Sequence, residues 1–110
     1  MWAPWCPHCQ AELPALAQVL QQFPAVNFAS VATAIGAAPG PSPAEYMQQK
    51  GLSFPVAVDD ANSTLAQAFG IQAFPTIFFV QADGTVQQAY EGELAAADLQ
   101  QAVQNLLATS

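Results

Sequence analysis

Apolar residues recur three and four positions apart at Leu13, Leu16, Leu20 and Phe23, so the stretch from Cys6 to Phe23 reads as an amphipathic helix. Pro14 should kink that helix, because it brings no N–H and crowds the preceding turn, and Pro24 ends it. Ala25 to Ala32 places Val26, Phe28 and Val31 among small residues and reads as a buried strand. A Gly/Pro-rich connection from Gly36 to Pro43 follows it. Ser42-Pro43-Ala44-Glu45 has the form of a helix start, with Ser42 as cap, Pro43 in the first helical position and Glu45 three residues beyond the cap. This helix should stop near Gly51. Phe54 to Val58 reads as a short strand, and Asp59 to Asn62 as a turn able to cap a helix from about Ser63 to Phe69, which Gly70 ends.

Thr76-Ile-Phe-Phe-Val80 is the most strand-like run, being β-branched and aromatic throughout. Asp83-Gly84 sits in the short polar loop after it, and Thr85 to Tyr90 forms the second arm of a hairpin. Leu94, Leu99, Val103, Leu106 and Leu107 then mark a closing amphipathic helix. The order helix, strand, helix, strand, helix, hairpin, helix belongs to an α/β sandwich with a mixed sheet. With 110 residues, 53% of them hydrophobic, the chain has material for one core and no room for a second domain.

Charge narrows the function classes. Only 8% of residues are charged, the formal net charge is -7 and Lys50 is the single basic residue other than His8, which argues against nucleic-acid binding or a polybasic membrane contact. No stretch approaches the roughly 20 apolar residues of a membrane span, and the N-terminus lacks the basic and apolar regions of a signal peptide.

The chemistry concentrates in Trp2-Ala-Pro-Trp-Cys-Pro-His-Cys9. Two cysteines so close cannot staple distant parts of one chain, which leaves a local redox pair or half of a metal site. A Cys-x-x-Cys at a helix start suits redox work: the first cysteine is expected to be exposed, with its thiolate facing free N–H groups and the positive end of the helix dipole, which lowers its pKa. Cys6 is then the nucleophile and Cys9 the resolving thiol, with Pro7 fixing the turn. His8, between them, is placed to stabilise the Cys6 thiolate further and so favour an oxidant. Trp2 and Trp5 can provide an apolar platform beside the sulfur. The alternatives are a zinc or copper site using Cys6, Cys9 and His8, which only a dimer could complete, and a non-catalytic interaction module.

The run Trp2-Ala-Pro-Trp-Cys-Pro-His-Cys-Gln-Ala-Glu-Leu-Pro14 resembles the active-site signature of the thioredoxin-like TlpA/ResA group of bacterial extracytoplasmic redoxins. Gly70-Ile-Gln-Ala-Phe-Pro-Thr76 and Ala82-Asp-Gly-Thr85 are similar to the group's later landmarks. The resemblance implies a thioredoxin-like fold, a three-layer sandwich with a mixed central sheet, and thiol–disulfide exchange without a cofactor. It implies that Pro75 is a cis-proline packed against the redox pair, and that Phe74, with Trp5 and Thr76 beside it, binds substrate through its backbone. It also implies that Glu12 is a partly buried carboxylate relaying protons for Cys9. The partners implied are protein thiols and disulfides and an upstream redox protein, in an extracytoplasmic setting, with a cytoplasmic reductase still open.

The Pro-His dipeptide departs from much of that group and resembles the loop of DsbA-type oxidants instead. In the group, a central strand leads into the position of Trp2, flanked by the equivalents of 25–32 and 76–80, and it should lie just before Met1. The expectation is therefore a domain lacking its N-terminal strands, truncated, rearranged, or completed by another chain in a homodimer or by strand exchange.

Overall fold

A computed structural model describes residues Met1 to Thr109, in eight elements. These are α1 (Pro7–Gln21), β1 (Ser30–Ala32), α2 (Pro43–Lys50), β2 (Val56–Val58), α3 (Thr64–Ala68), β3 (Thr76–Val80), β4 (Val86–Glu91) and α4 (Ala96–Thr109). Each expected element is present in the expected order. The strand expected from Ala25 is confined to Ser30–Ala32, because only there does a neighbouring strand supply backbone partners.

Local chemistry accounts for the boundaries. The Ser42 side chain accepts from the Glu45 N–H at 3.1 Å, and the Glu45 carboxylate accepts from the Ser42 N–H at 3.0 Å, which closes a reciprocal cap on α2. Gly51 ends the helix in the left-handed region at φ 64°. The start of α3 is held by carboxylates: Asp60 accepts from the Thr64 N–H, and Asp59 from the N–H groups of Leu65 and Ala66. Asp59 also accepts from the Thr33 hydroxyl at 2.7 Å, tying α3 to the end of β1.

Both parallel and antiparallel pairing are present, but in two separate two-stranded sheets where one mixed sheet was expected. β1 pairs with β2 in parallel, Ser30 opposite Val56, and β3 pairs with β4 antiparallel, Thr76 opposite Glu91, with an irregularity at Phe79/Val80. Met1 and Trp2 join them. The Trp2 N–H donates to the Val31 carbonyl at 3.0 Å and its own carbonyl accepts from the Thr33 N–H at 2.8 Å, while the Met1 carbonyl accepts from the Thr76 N–H at 3.0 Å. Beyond this rung, β1 and β3 face one another across an apolar cleft of about 600 Å³, lined among others by Leu16, Phe28, Ile77, Phe79 and Leu106.

α1 serves two cores. Near its start, Cys9 and Leu13 pack with Trp2, Ala32, Tyr46 and Met47; near its end, Leu16 and Val19 pack with Phe79, Leu99, Val103 and Leu106. The helix is continuous through Pro14. Proline at that position deprives the Gln10 carbonyl of its usual helical donor, and the buried Tyr46 hydroxyl of α2 donates to it at 2.8 Å instead. Burial, followed by the nearby Cys9, pushes the Tyr46 phenol up to about 12, so it remains a donor throughout the working pH range.

Tyr46→Phe keeps the ring and leaves that carbonyl without its donor. It is expected to lower unfolding stability by about 1–2 kcal/mol in urea titrations with the helical circular dichroism unchanged.

Candidate functional site

The site is built at the N-terminus of α1. Cys6 is the N-cap residue, in extended conformation, Pro7 opens the helix, and the Gln10 N–H donates to the Cys6 carbonyl at 3.0 Å. The free N–H groups of the first turn therefore surround the sulfur's end of the helix. Cys6 and Cys9 are not joined to one another in this structure. Cys6 is 7% exposed, where the sequence suggested an open nucleophile; the correction follows from the segment Phe74–Pro75, whose peptide bond is cis and whose Phe74 carbonyl lies 3.8 Å from Cys6 Sγ. Cys9, one turn on, is fully buried. Burial pushes its thiol up to about 12, a rise to which neighbouring Cys6 adds and which the Ala3 backbone only partly offsets. The two sulfurs are thus unequal: one lies at a helix N-cap beside a peptide carbonyl, and the other is held as a thiol.

The apolar wall beside Cys6 comes from Trp5 and Phe74, whose rings meet edge to face at 6.0 Å. The Trp5 indole N–H donates to the Ala34 carbonyl at 2.8 Å, and Ala34 adopts φ 54°, a conformation uncommon for a residue with a Cβ. Gly40 closes the back of this wall. A Cβ at that position would stand 2.9 Å from both Cα and Cβ of Trp5. Thr76 leads from Pro75 into β3: its N–H meets Met1, its hydroxyl donates to the Ala73 carbonyl at 2.6 Å, and the Pro75 carbonyl accepts from Gly92 at 2.8 Å.

Glu12 is more deeply placed than the partial burial expected of it, at 1% exposure. Its Oε1 accepts from the Leu94 N–H at 3.0 Å. Burial is the largest influence and raises its carboxyl above the ordinary range; the Leu94 N–H opposes this and the charge of Glu93 adds to it. His8 is well exposed, and its Nδ1 lies 3.0 Å from Glu93 Oε1.

The structure thus brings together Cys6, Cys9, Trp5, Phe74, Pro75 and Thr76, sets Glu12 one turn beyond Cys9, and engages His8 with Glu93. The sequence reading did not single out Tyr46, Gly40, Glu93 or the Leu94 amide. Of these only Tyr46 left a signal: a proline inside a helix announces a carbonyl in want of a donor.

A family model, described as AhpC/TSA, matches residues 1–89. The chain belongs to the AhpC/TSA family. The soluble secreted antigen MPT53 of Mycobacterium tuberculosis is 34% identical over 84 residues, covering 76% of this chain and 46% of that protein. The thiol-disulfide oxidoreductase ResA of Bacillus subtilis is 27% identical over 93 residues, covering 84% of this chain and 51% of that protein. The chain spans about half the length of these curated relatives. A solved structure of a secreted Mycobacterium tuberculosis disulfide oxidoreductase, homologous to Escherichia coli DsbE, superposes with a TM-score of 0.77 at 29% identity, covering 96% of this chain and 77% of that one. The fold of this AhpC/TSA-family chain is thioredoxin-like.

Two variants test the site's packing and charge. Gly40→Ala forces a Cβ into the Trp5 backbone and is expected to cost about 1–3 kcal/mol, with a shift in tryptophan fluorescence. Glu12 carries a raised carboxyl in the folded state, so its contribution to stability is present below the ordinary carboxylate pKa of about 4.3 and is lost as pH rises through the folded value. Relative to Glu12→Gln, the unmodified chain should therefore lose unfolding stability as pH rises above about 4, measured by urea unfolding across a pH series.

Proposed function

We propose that the chain exchanges thiols and disulfides with protein substrates through Cys6 and Cys9. The observation that carries this reading is the placement of Cys6 Sγ at the N-cap of α1, 3.8 Å from the carbonyl of the cis Phe74–Pro75 segment, with Cys9 buried one turn away. In the reducing direction the Cys6 thiolate attacks a substrate disulfide. A Cys6–substrate disulfide forms, and one substrate sulfur leaves and takes up a proton. Cys9 then gives its proton to a base and attacks Cys6 Sγ, releasing the second substrate sulfur; two electrons have passed from the pair to the substrate. The oxidising direction is the reverse.

The raised proton affinity of Cys9 makes its deprotonation the step that needs help. Glu12, a buried carboxyl one turn along α1 with a raised proton affinity of its own, suits the role of that base. Trp5 and Phe74 provide the apolar surface for substrate, and the Phe74 backbone provides its hydrogen bonds, since the Pro75 carbonyl and the Thr76 backbone are already bonded to Gly92 and Met1. Pro7 fixes the turn between the sulfurs.

Pro7-His8 resembles the loop of DsbA-type oxidants, which tilts the pair toward oxidation. The mycobacterial relative is named as secreted, which supports an extracytoplasmic setting for this chain. An upstream thiol–disulfide protein would restore the pair after each turnover.

The test is catalysed reduction of insulin by dithiothreitol. Cys6→Ala should fall to the uncatalysed rate, while Cys9→Ser should accumulate a Cys6–substrate mixed disulfide visible on a non-reducing gel. Insulin turnover by Cys6→Ala at the unmodified rate would overturn the reading.

A further inference from the structure

The 92–95 connection between β4 and α4 is fastened to α1 at two points. Glu93 Oε1 meets His8 Nδ1 at 3.0 Å, and the Leu94 N–H meets Glu12 Oε1 at 3.0 Å. His8 and Lys50 are the only side chains that can carry positive charge, in a chain of net charge -7, and Lys50 lies in the last turn of α2. Whatever cationic help Cys6 receives from a side chain in its own loop must therefore come from His8.

We propose that Glu93 is a positioning residue for the thiol–disulfide exchange: its carboxylate draws the His8 imidazole onto the 92–95 connection and neutralises it there, making the Cys6–Cys9 pair a weaker oxidant than a Cys-Pro-His-Cys loop with an unpaired histidine. The inference rests on Cys6 and Cys9 being the redox pair.

The electron balance against glutathione fixes the direction of the effect. When the two thiols reduce glutathione disulfide, the Cys6–Cys9 bond forms, the glutathione S–S bond breaks, and two electrons and two protons pass to two glutathione thiols. Anything that stabilises the reduced pair, and above all a Cys6 thiolate, resists this reaction and makes the pair more oxidising. When His8 is protonated and unpaired, its positive charge two residues from Cys6 does so. Paired with a carboxylate, the same imidazolium presents almost no net charge to the sulfur. Both side chains are largely open to water, at 72% and 45% exposure, so the effect is a matter of severalfold. Glu93 also reaches the second group near the cysteines, since its charge adds to the rise that burial produces at Glu12.

The experiment is equilibration of the full chain with defined glutathione ratios at pH 7 and low salt, with the reduced fraction read by thiol alkylation and mass. Glu93→Gln should shift the equilibrium toward the reduced pair by about three- to tenfold. Glu93→Asp should restore much of the original value, and 0.5 M sodium chloride should remove most of the difference. In a His8→Gln background the Glu93→Gln shift should fall below twofold.

An equilibrium unchanged by Glu93→Gln, or an equal shift in the His8→Gln background, overturns the inference while leaving the proposed activity standing. Failure of the unmodified pair to equilibrate with glutathione at all overturns both.

Discussion

The backbone rung made by Met1 and Trp2 is the constraint on which the rest of the structure depends. It hydrogen-bonds to β1 through Val31 and Thr33 and to Thr76 at the start of β3, and so joins two ladders that otherwise do not pair. Its position sets the site as well. The chain leaves Trp2 for Cys6 on one side, and Thr76 leaves for Pro75 and Phe74 on the other, so one pair of residues fixes where the sulfur meets the cis-proline segment. The buried Trp2 ring, tilted against Tyr46 at 5.3 Å, makes the same rung part of the core.

The site combines groups whose environments were set by different parts of the fold. The helix terminus places Cys6, the core buries Cys9, and α1 carries Glu12 from the first environment toward the second. Two chemically identical thiols are thereby set in unequal environments, one at a helix terminus and one in the core. Phe74–Pro75 covers Cys6, and the Trp5 and Phe74 rings pack beside it.

Much of this was legible in the sequence because it is local. The cap Ser42-x-x-Glu45, the strand and hairpin around Asp83-Gly84, the apolar faces of α1 and α4 and the position of Cys6 at a helix start all depend on residues a few positions apart. The side-chain contacts around the site are long-range: His8 and Glu93 are 85 positions apart, and Glu12 and Leu94 are 82 apart. No periodicity encodes such meetings. The burial of Cys6 escaped for the same reason, since the segment that covers it is 68 positions distant. The strand expected from Ala25 to Ala32 was shortened by tertiary context. Apolar residues at Val26 and Phe28 suit a strand, but backbone pairing needs a neighbour, and they border the cleft.

The hydroxyl of Tyr46 on the Gln10 carbonyl makes residues on two helices answer to one another. Pro14 creates the vacancy that Tyr46 fills, so each residue has value chiefly while the other is kept. A chain that exchanged Pro14 for a residue with an N–H would restore the helical hydrogen bond and release position 46 to drift toward phenylalanine or leucine. Positions 14 and 46 should therefore covary across the family, a trace of the fold that would be written in populations of sequences rather than in any single one.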